Sequence, residues 1–183
     1  MHIDGARLAN AAYSLNVDLK ELTTDLGVDL ISLGGTKNGF MFGECIISLQ
    51  PQFQQHLKFL RKQFLNLPSK TRFIAAQFKA YLNNHLWREI AKQSCLHAQL
   101  LAENLRQFPE IQITQPVQSN AVFCIFPFAW LKKLRTNKFF YIWNEQTREC
   151  RLMLSWDIQE TDIDDFINCI KELRNEIPTS SLS

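Results

Sequence analysis

LISLGGTKNGFMFGECIISL, residues 30–49, holds two apolar runs on either side of a glycine-rich turn with one lysine at its tip. Leu30, Ile31 and Leu33 end in Gly34-Gly35; Thr36-Lys37 follows, then another glycine, then the run to Leu49. Continuous apolar runs of this length are expected of strands covered on both faces of an α/β sheet. The reading therefore places strands at 28–33 and 43–49 and sets Lys37 at a strand end. Such a lysine is either a solvated loop residue or an amine placed for chemistry. An amine that is neutral part of the time can form a Schiff base with a carbonyl. Flanking glycines let a bulky ligand approach the backbone. Thr36 offers a hydroxyl, and the N–H groups of the turn suit a phosphate.

The rest of the chain sets bounds on this reading. Its 183 residues suit one domain or one and a half, and 46% hydrophobic content supports a sizeable core. Twenty Lys+Arg against 18 Asp+Glu give no argument for nucleic acid or a membrane surface as partner. Cys45, Cys95, Cys124, Cys150 and Cys169 are dispersed, without a CxxC pair, which fits reduced thiols and a cytoplasmic location. No apolar run reaches the roughly 20 residues that span a bilayer. The opening MHIDGARLAN is a charged turn and not a signal peptide.

Outward from the lysine turn, residues 1–4 read as a strand end and 7–13 as a short helix. DLKELTTDLG, residues 18–27, reads as a second helix, capped by Asp18 and stopped by Gly27. Gln50-Pro51 opens a helix to about residue 65. Apolar residues at helical spacing predict one long helix over 71–107. Strands follow at 121–126, 139–143 and 151–155, with a short helix in AWLKKLRTN. The last helix is expected over 161–176, capped by Thr161 with Asp164 three residues on. The tail PTSSLS is expected to fray.

Three further residues carry possible chemistry. Asp4 stands at a strand end before Gly5. It is either the N-cap of the next helix or an anion at the C-terminal edge of a sheet, where ligands of open α/β sheets bind. There it can keep a pyridine nitrogen protonated. Arg7 lies within one turn of Asp4 and either pairs with it or orients it toward a ligand. Arg151 opens the strand LMLS; it is either solvated or grips a carboxylate with its planar fork.

The ordered set HIDGARLANAA, DLISLGGTKNG, LPSKTRFIAAQ and RLMLSWD resembles the low-specificity L-threonine aldolases, members of the β-eliminating lyase group of pyridoxal-phosphate enzymes. The resemblance runs over almost the whole chain. It implies an α/β fold class: the C-terminal part of the pyridoxal-phosphate-dependent transferase fold typified by aspartate aminotransferase. Residues 1–68 would be a remnant of the large-domain sheet. Residues 69–183 would be a connecting helix and a small α+β domain. The implied reaction is retro-aldol cleavage of L-threonine or L-allo-threonine to glycine and acetaldehyde. The implied cofactor is pyridoxal 5'-phosphate, held as an aldimine by Lys37. Asp4 matches the partner of the pyridine nitrogen, Ala6 the small residue packed on one ring face, and Arg7 the arginine near cofactor and substrate. Thr36 belongs to the cofactor-binding turn. Lys62 and Arg72 match basic residues that reach the cofactor phosphate, and Arg151 the arginine that takes the substrate carboxylate. No metal is implied. A different enzyme of the same fold, acting on alanine or serine, is argued against by TKNG and RLMLSWD.

The chain departs from this family by lacking the half that precedes DGAR. That half carries the phosphate loop, the residue stacked on the other ring face and most of the large sheet. His2, His56, His85 and His97 do not replace it. Met1 directly before His2 suggests a truncated reading frame, a split gene product or a fragment. The strands at 28–33 and 43–49 are then expected to expose edges and apolar faces. Two consequences are weighed: a chain inactive alone, or a non-catalytic piece that joins an aldolase N-terminal half or an intact subunit. A homo-oligomer or that missing half is the expected partner.

Overall fold

The computed structural model describes residues 1–177, so the expected fraying of the tail from Pro178 lies outside the described residues. The chain forms two compact units, Met1–Lys92 and Gln93–Ser183.

The first unit is built on a three-stranded sheet in the order β1 (His2–Gly5), β2 (Leu30–Gly34), β3 (Glu44–Ser48). β1 and β2 run parallel with Asp4 beside Ser32; β2 and β3 run antiparallel with Gly34 beside Glu44. Between β1 and β2 lies helix α1 (Leu8–Leu15), whose Leu8 packs with Val28, Ile31 and Leu33. Ala9 and Ala12 of the same helix join Tyr81, Trp87 and Ala91 in a second buried cluster. Small residues on α1 let it lie close against its neighbours.

The expected helix over 18–27 is instead two 3₁₀ turns, Leu19–Leu22 and Thr24–Leu26. The hydroxyls of Thr23 and Thr24 donate to the carbonyls of Leu19 and Lys20 at 2.7 and 3.2 Å. Such back-bonding competes with helix propagation. Gly27 ends the segment at φ 68°, as its sequence position suggested. Full cover of both strands is also corrected. Ile31 and Leu33 of β2 are buried, whereas β3 shows water Glu44 and Ile46, the latter 55% exposed.

Helix α2 (Pro51–Gln63) buries none of its residues. Phe53 and Phe59 on α2, and Phe64 just after it, are all exposed, beside Lys58, Arg61 and Lys62. The long helix expected over 71–107 breaks into α3 (Thr71–Leu82) and α4 (Leu86–Leu105). Asn84 and His85 turn left-handed there, at φ 53° and 57°. Asparagine tolerates that region better than most residues, and helical periodicity continues across the break without revealing it.

The second unit carries a four-stranded antiparallel sheet in the order β4 (Gln112–Ile113), β5 (Ala121–Ile125), β7 (Glu149–Met153), β6 (Tyr141–Asn144). One face of it, with Val122, Cys124, Cys150 and Leu152, is buried under Leu101 and Leu105 of α4, Trp130 of α5 (Phe128–Asn137) and Ile163, Ile167 and Ile170 of α6 (Glu160–Glu176). α6 begins earlier than expected. The Asp162 carboxylate accepts the Gln159 N–H at 2.8 Å, so the cap is Gln159 and not Thr161. No helix among the described residues is long and apolar enough to cross a membrane.

Candidate active site

The parallel pair β1–β2 sets the site. Both strands end at the same edge, and the chain leaves each in a loop carrying predicted residues: Asp4, Ala6 and Arg7 after β1, Thr36 and Lys37 after β2. In a parallel sheet this C-terminal edge is where ligands bind. Asp4 is exposed, and its Oδ1 accepts the Ala6 N–H at 3.0 Å, fixing the loop on itself. Two residues earlier on the same strand face, His2 Nε2 meets Ser32 Oγ at 2.8 Å. Arg7 takes the N-cap position of α1.

The lysine turn is a single 3₁₀ turn, Thr36–Asn38. Thr36 and Lys37 are exposed, and Lys37 forms no ion pair among the described residues. Beside it, Asn38 is 2% exposed and points inward. Its Nδ2 donates to Gly34 O at 2.6 Å and to Ala6 O at 3.2 Å. One side chain thus ties the lysine turn to both strand ends. Gly34 permits this closeness: a Cβ there would lie 2.8 Å from Ala6 Cα. Gly35 is held in the same way, with its N–H donating to Gly43 O at 2.9 Å and no room for a Cβ beside the Phe40 ring. The Thr36 hydroxyl accepts the Gly43 N–H at 3.1 Å, which closes the loop from the far side. Phe40 packs edge-on against Phe78 and Tyr81 of α3, and Gln77 Oε1 accepts the Met41 N–H at 2.9 Å.

The structure therefore gathers Asp4, Ala6, Arg7, Thr36 and Lys37 on one sheet edge. Lys62 lies on exposed α2, and Arg72 sits near the start of α3 with its guanidinium 4.9 Å from the centre of the Phe73 ring. Neither contacts the lysine turn through a hydrogen bond or ion pair. Arg151 belongs to the second unit. It sits mid-strand on the sheet face opposite the helices, between Tyr141 and Phe123 in register. Asn38 is the residue holding this edge that reading for chemistry passed over. It stood inside TKNG, but an amide next to a lysine carries no signal of its own, and its role needs both strand ends in view.

An exposed amine and an exposed carboxylate on one edge, with the backbone cleared by glycine, fit a pyridine-aldehyde cofactor in donor chemistry. Among the described residues no cluster of histidine, cysteine or acidic side chains could hold a metal. Burial raises the thiols of Cys45, Cys124 and Cys150, the last to about 11, which disfavours their thiolates.

Comparison with known proteins bears on the family and the fold. The low-specificity L-threonine aldolase of a Pseudomonas species is 32% identical over 163 residues, covering 89% of this chain and 47% of the relative. That of Pseudomonas aeruginosa is 32% identical over 174 residues, covering 95% and 49%. The chain thus spans about half the length of the curated relatives it matches. A solved threonine aldolase from Leishmania major superposes with a TM-score of 0.82 at 29% identity, over 94% of this chain and 51% of that one. Tryptophan decarboxylase from Catharanthus roseus shares the fold at a TM-score of 0.67 and 15% identity, over 96% and 43%. These neighbours set the fold as that of the pyridoxal-phosphate-dependent threonine aldolases and decarboxylases. The profile of the beta-eliminating lyase family matches residues 1–127, and the chain belongs to that family.

Proposed function

We propose that this chain supplies the lysine-bearing part of a pyridoxal-phosphate aldolase site that cleaves L-threonine or L-allo-threonine to glycine and acetaldehyde. The observation that carries the reading is the Asn38 tie, which brings the Lys37 turn against the Asp4–Arg7 loop. Lys37 is the amine that would anchor the cofactor. Asp4 would pair with the ring nitrogen, Ala6 would pack on one ring face, and Arg7 and Thr36 would line the site. Lys62 and Arg72 would serve the phosphate, and Arg151 the substrate carboxylate. When bound, the cofactor supplies the ring that accepts electrons as Cα–Cβ breaks. The protein's part is to hold the substrate carboxylate, keep the ring nitrogen protonated through Asp4 and orient the amine. The test is the absorption of pyridoxal phosphate added to the chain, with Lys37→Ala as control. A band that depends on Lys37 supports the reading; identical spectra in both proteins refute it for this chain alone.

A second reading has its own support. Among the described residues β1 pairs on one side only, and α2 leaves Phe53 and Phe59 in water, with Phe64 just beyond. A non-catalytic piece that joins an aldolase N-terminal half or an intact subunit would cover such surfaces. Co-purification with an added aldolase subunit distinguishes it, since a self-sufficient chain would not be retained.

A further inference from the structure

The outer face of the second sheet holds an arginine in an aromatic enclosure. Antiparallel register sets Arg151 beside Phe123 on β5 and beside Tyr141 on β6. Its guanidinium carbon lies 4.4 Å from the Trp143 ring centre and 5.6 Å from that of Tyr141. Phe123 steadies Trp143 edge-on at 5.7 Å between centroids. The Arg151 Nε is buried and has no hydrogen-bond partner. Among the described residues Arg151 forms no ion pair. Glu149, the acid on its own strand face, is engaged elsewhere, its Oε1 accepting from the Thr114 hydroxyl and from Gln115 Nε2 at 3.1 Å.

An arginine that merely covers apolar surface keeps its donors in water. Here the donor nearest the stem is out of water and unmatched, which is costly for a charged group. Ring stacking engages the faces of the guanidinium plane and leaves its in-plane N–H edge as the part still to be satisfied. A planar anion with two oxygens matches that edge.

We propose that Trp143 and Tyr141 are positioning residues for Arg151: their rings hold the guanidinium, its Nε shut off from water, so that its terminal N–H groups meet the carboxylate of an amino acid. The proposal rests on the reading of Arg151 as the carboxylate-binding residue. It adds that the aromatic pair, and not the arginine alone, sets the affinity. Lysine at 151 would not serve, because it has neither a face to stack nor a fork of terminal N–H groups.

The test follows the Nε–H signal of Arg151 by NMR in the arginine-labelled 183-residue chain, assigned by its loss in Arg151→Lys. L-Threonine is titrated in, with L-threoninol, which lacks the carboxylate, as the comparison. The expected result is a saturable shift with L-threonine and none with L-threoninol. Trp143→Leu is expected to raise the midpoint about tenfold, the scale of a partly desolvated cation–π contact, and Trp143→Phe to restore it to within about threefold. Trp143 is 54% exposed, so these variants spare the core, and unchanged amide signals from Val122 and Cys150 verify it. A midpoint unchanged in Trp143→Leu, with the parent still responding to L-threonine alone, overturns the proposal and leaves the carboxylate reading standing. Equal responses to the two ligands, or none in the parent chain, overturn both.

Discussion

Asn38→Ala offers the sharpest probe of how the lysine turn is held. The side chain is buried and donates two hydrogen bonds, one to each strand end. Each such bond contributes about 1 kcal/mol net, so removing both is expected to cost about 2 kcal/mol of local stability. The chain has two compact units, so a single global melting curve is the wrong measurement. Hydrogen exchange reads the turn directly. The Gly35 N–H donates to Gly43 O, and the Asn38 N–H to Gly35 O at 2.8 Å. These two amides open only when the turn does. A loss of about 2 kcal/mol speeds their exchange about thirtyfold. Amides of β5 and β7 in the other unit serve as the internal standard. Exchange at Gly35 and residue 38 within about threefold of the parent would refute the idea that Asn38 holds the turn.

Gly34→Ala brings a Cβ to 2.8 Å from Ala6 Cα, a backbone that cannot swing aside, and should remove any Lys37-dependent cofactor absorption while the second unit stays folded by circular dichroism. Alkaline pH should weaken the second unit. Burial keeps the Cys150 thiol protonated to about 11 and raises Cys124 further, whereas the unfolded thiols ionise near 9.0. The unfolded state therefore holds fewer protons between about 9 and 11, and stability falls as pH rises through that window. Urea unfolding followed at Trp130 tests this, and a flat profile from pH 8 to 11 counts against it. In native chain at neutral pH, Cys124 and Cys150 should resist thiol reagents that label both once urea is added. Replacing Phe59 and Phe64 by serine should cut dye binding and self-association in sedimentation without speeding hydrogen exchange of the β2 amides, because neither side chain is buried.

Local pattern carried much of this architecture. The two apolar runs around the lysine turn gave β2 and β3 to within two residues, and the glycine at 27 stopped its segment as expected. Where local signals competed, the pattern misled. Thr23 and Thr24 look acceptable in a helix but bond back to their own turn. The left-handed step at Asn84 and His85 leaves the 3.6-residue repeat intact on either side. The sequence pointed to candidate site residues only where a side chain carries charge or a nucleophile. The Asn38 tie was not legible, because it joins residues 32 positions apart, and the Trp143–Arg151 contact was not, because it depends on the register of β6 against β7.

The tie through Asn38 has a consequence for how this edge meets a ligand. The turn that presents Lys37 is fixed by the chain's own amide and carbonyls, and the entropy of ordering it is met during folding. A ligand arriving there need not organise the loop. Affinity at this edge is then preorganised: it depends on the contacts formed, and its association rate should approach that of a rigid receptor.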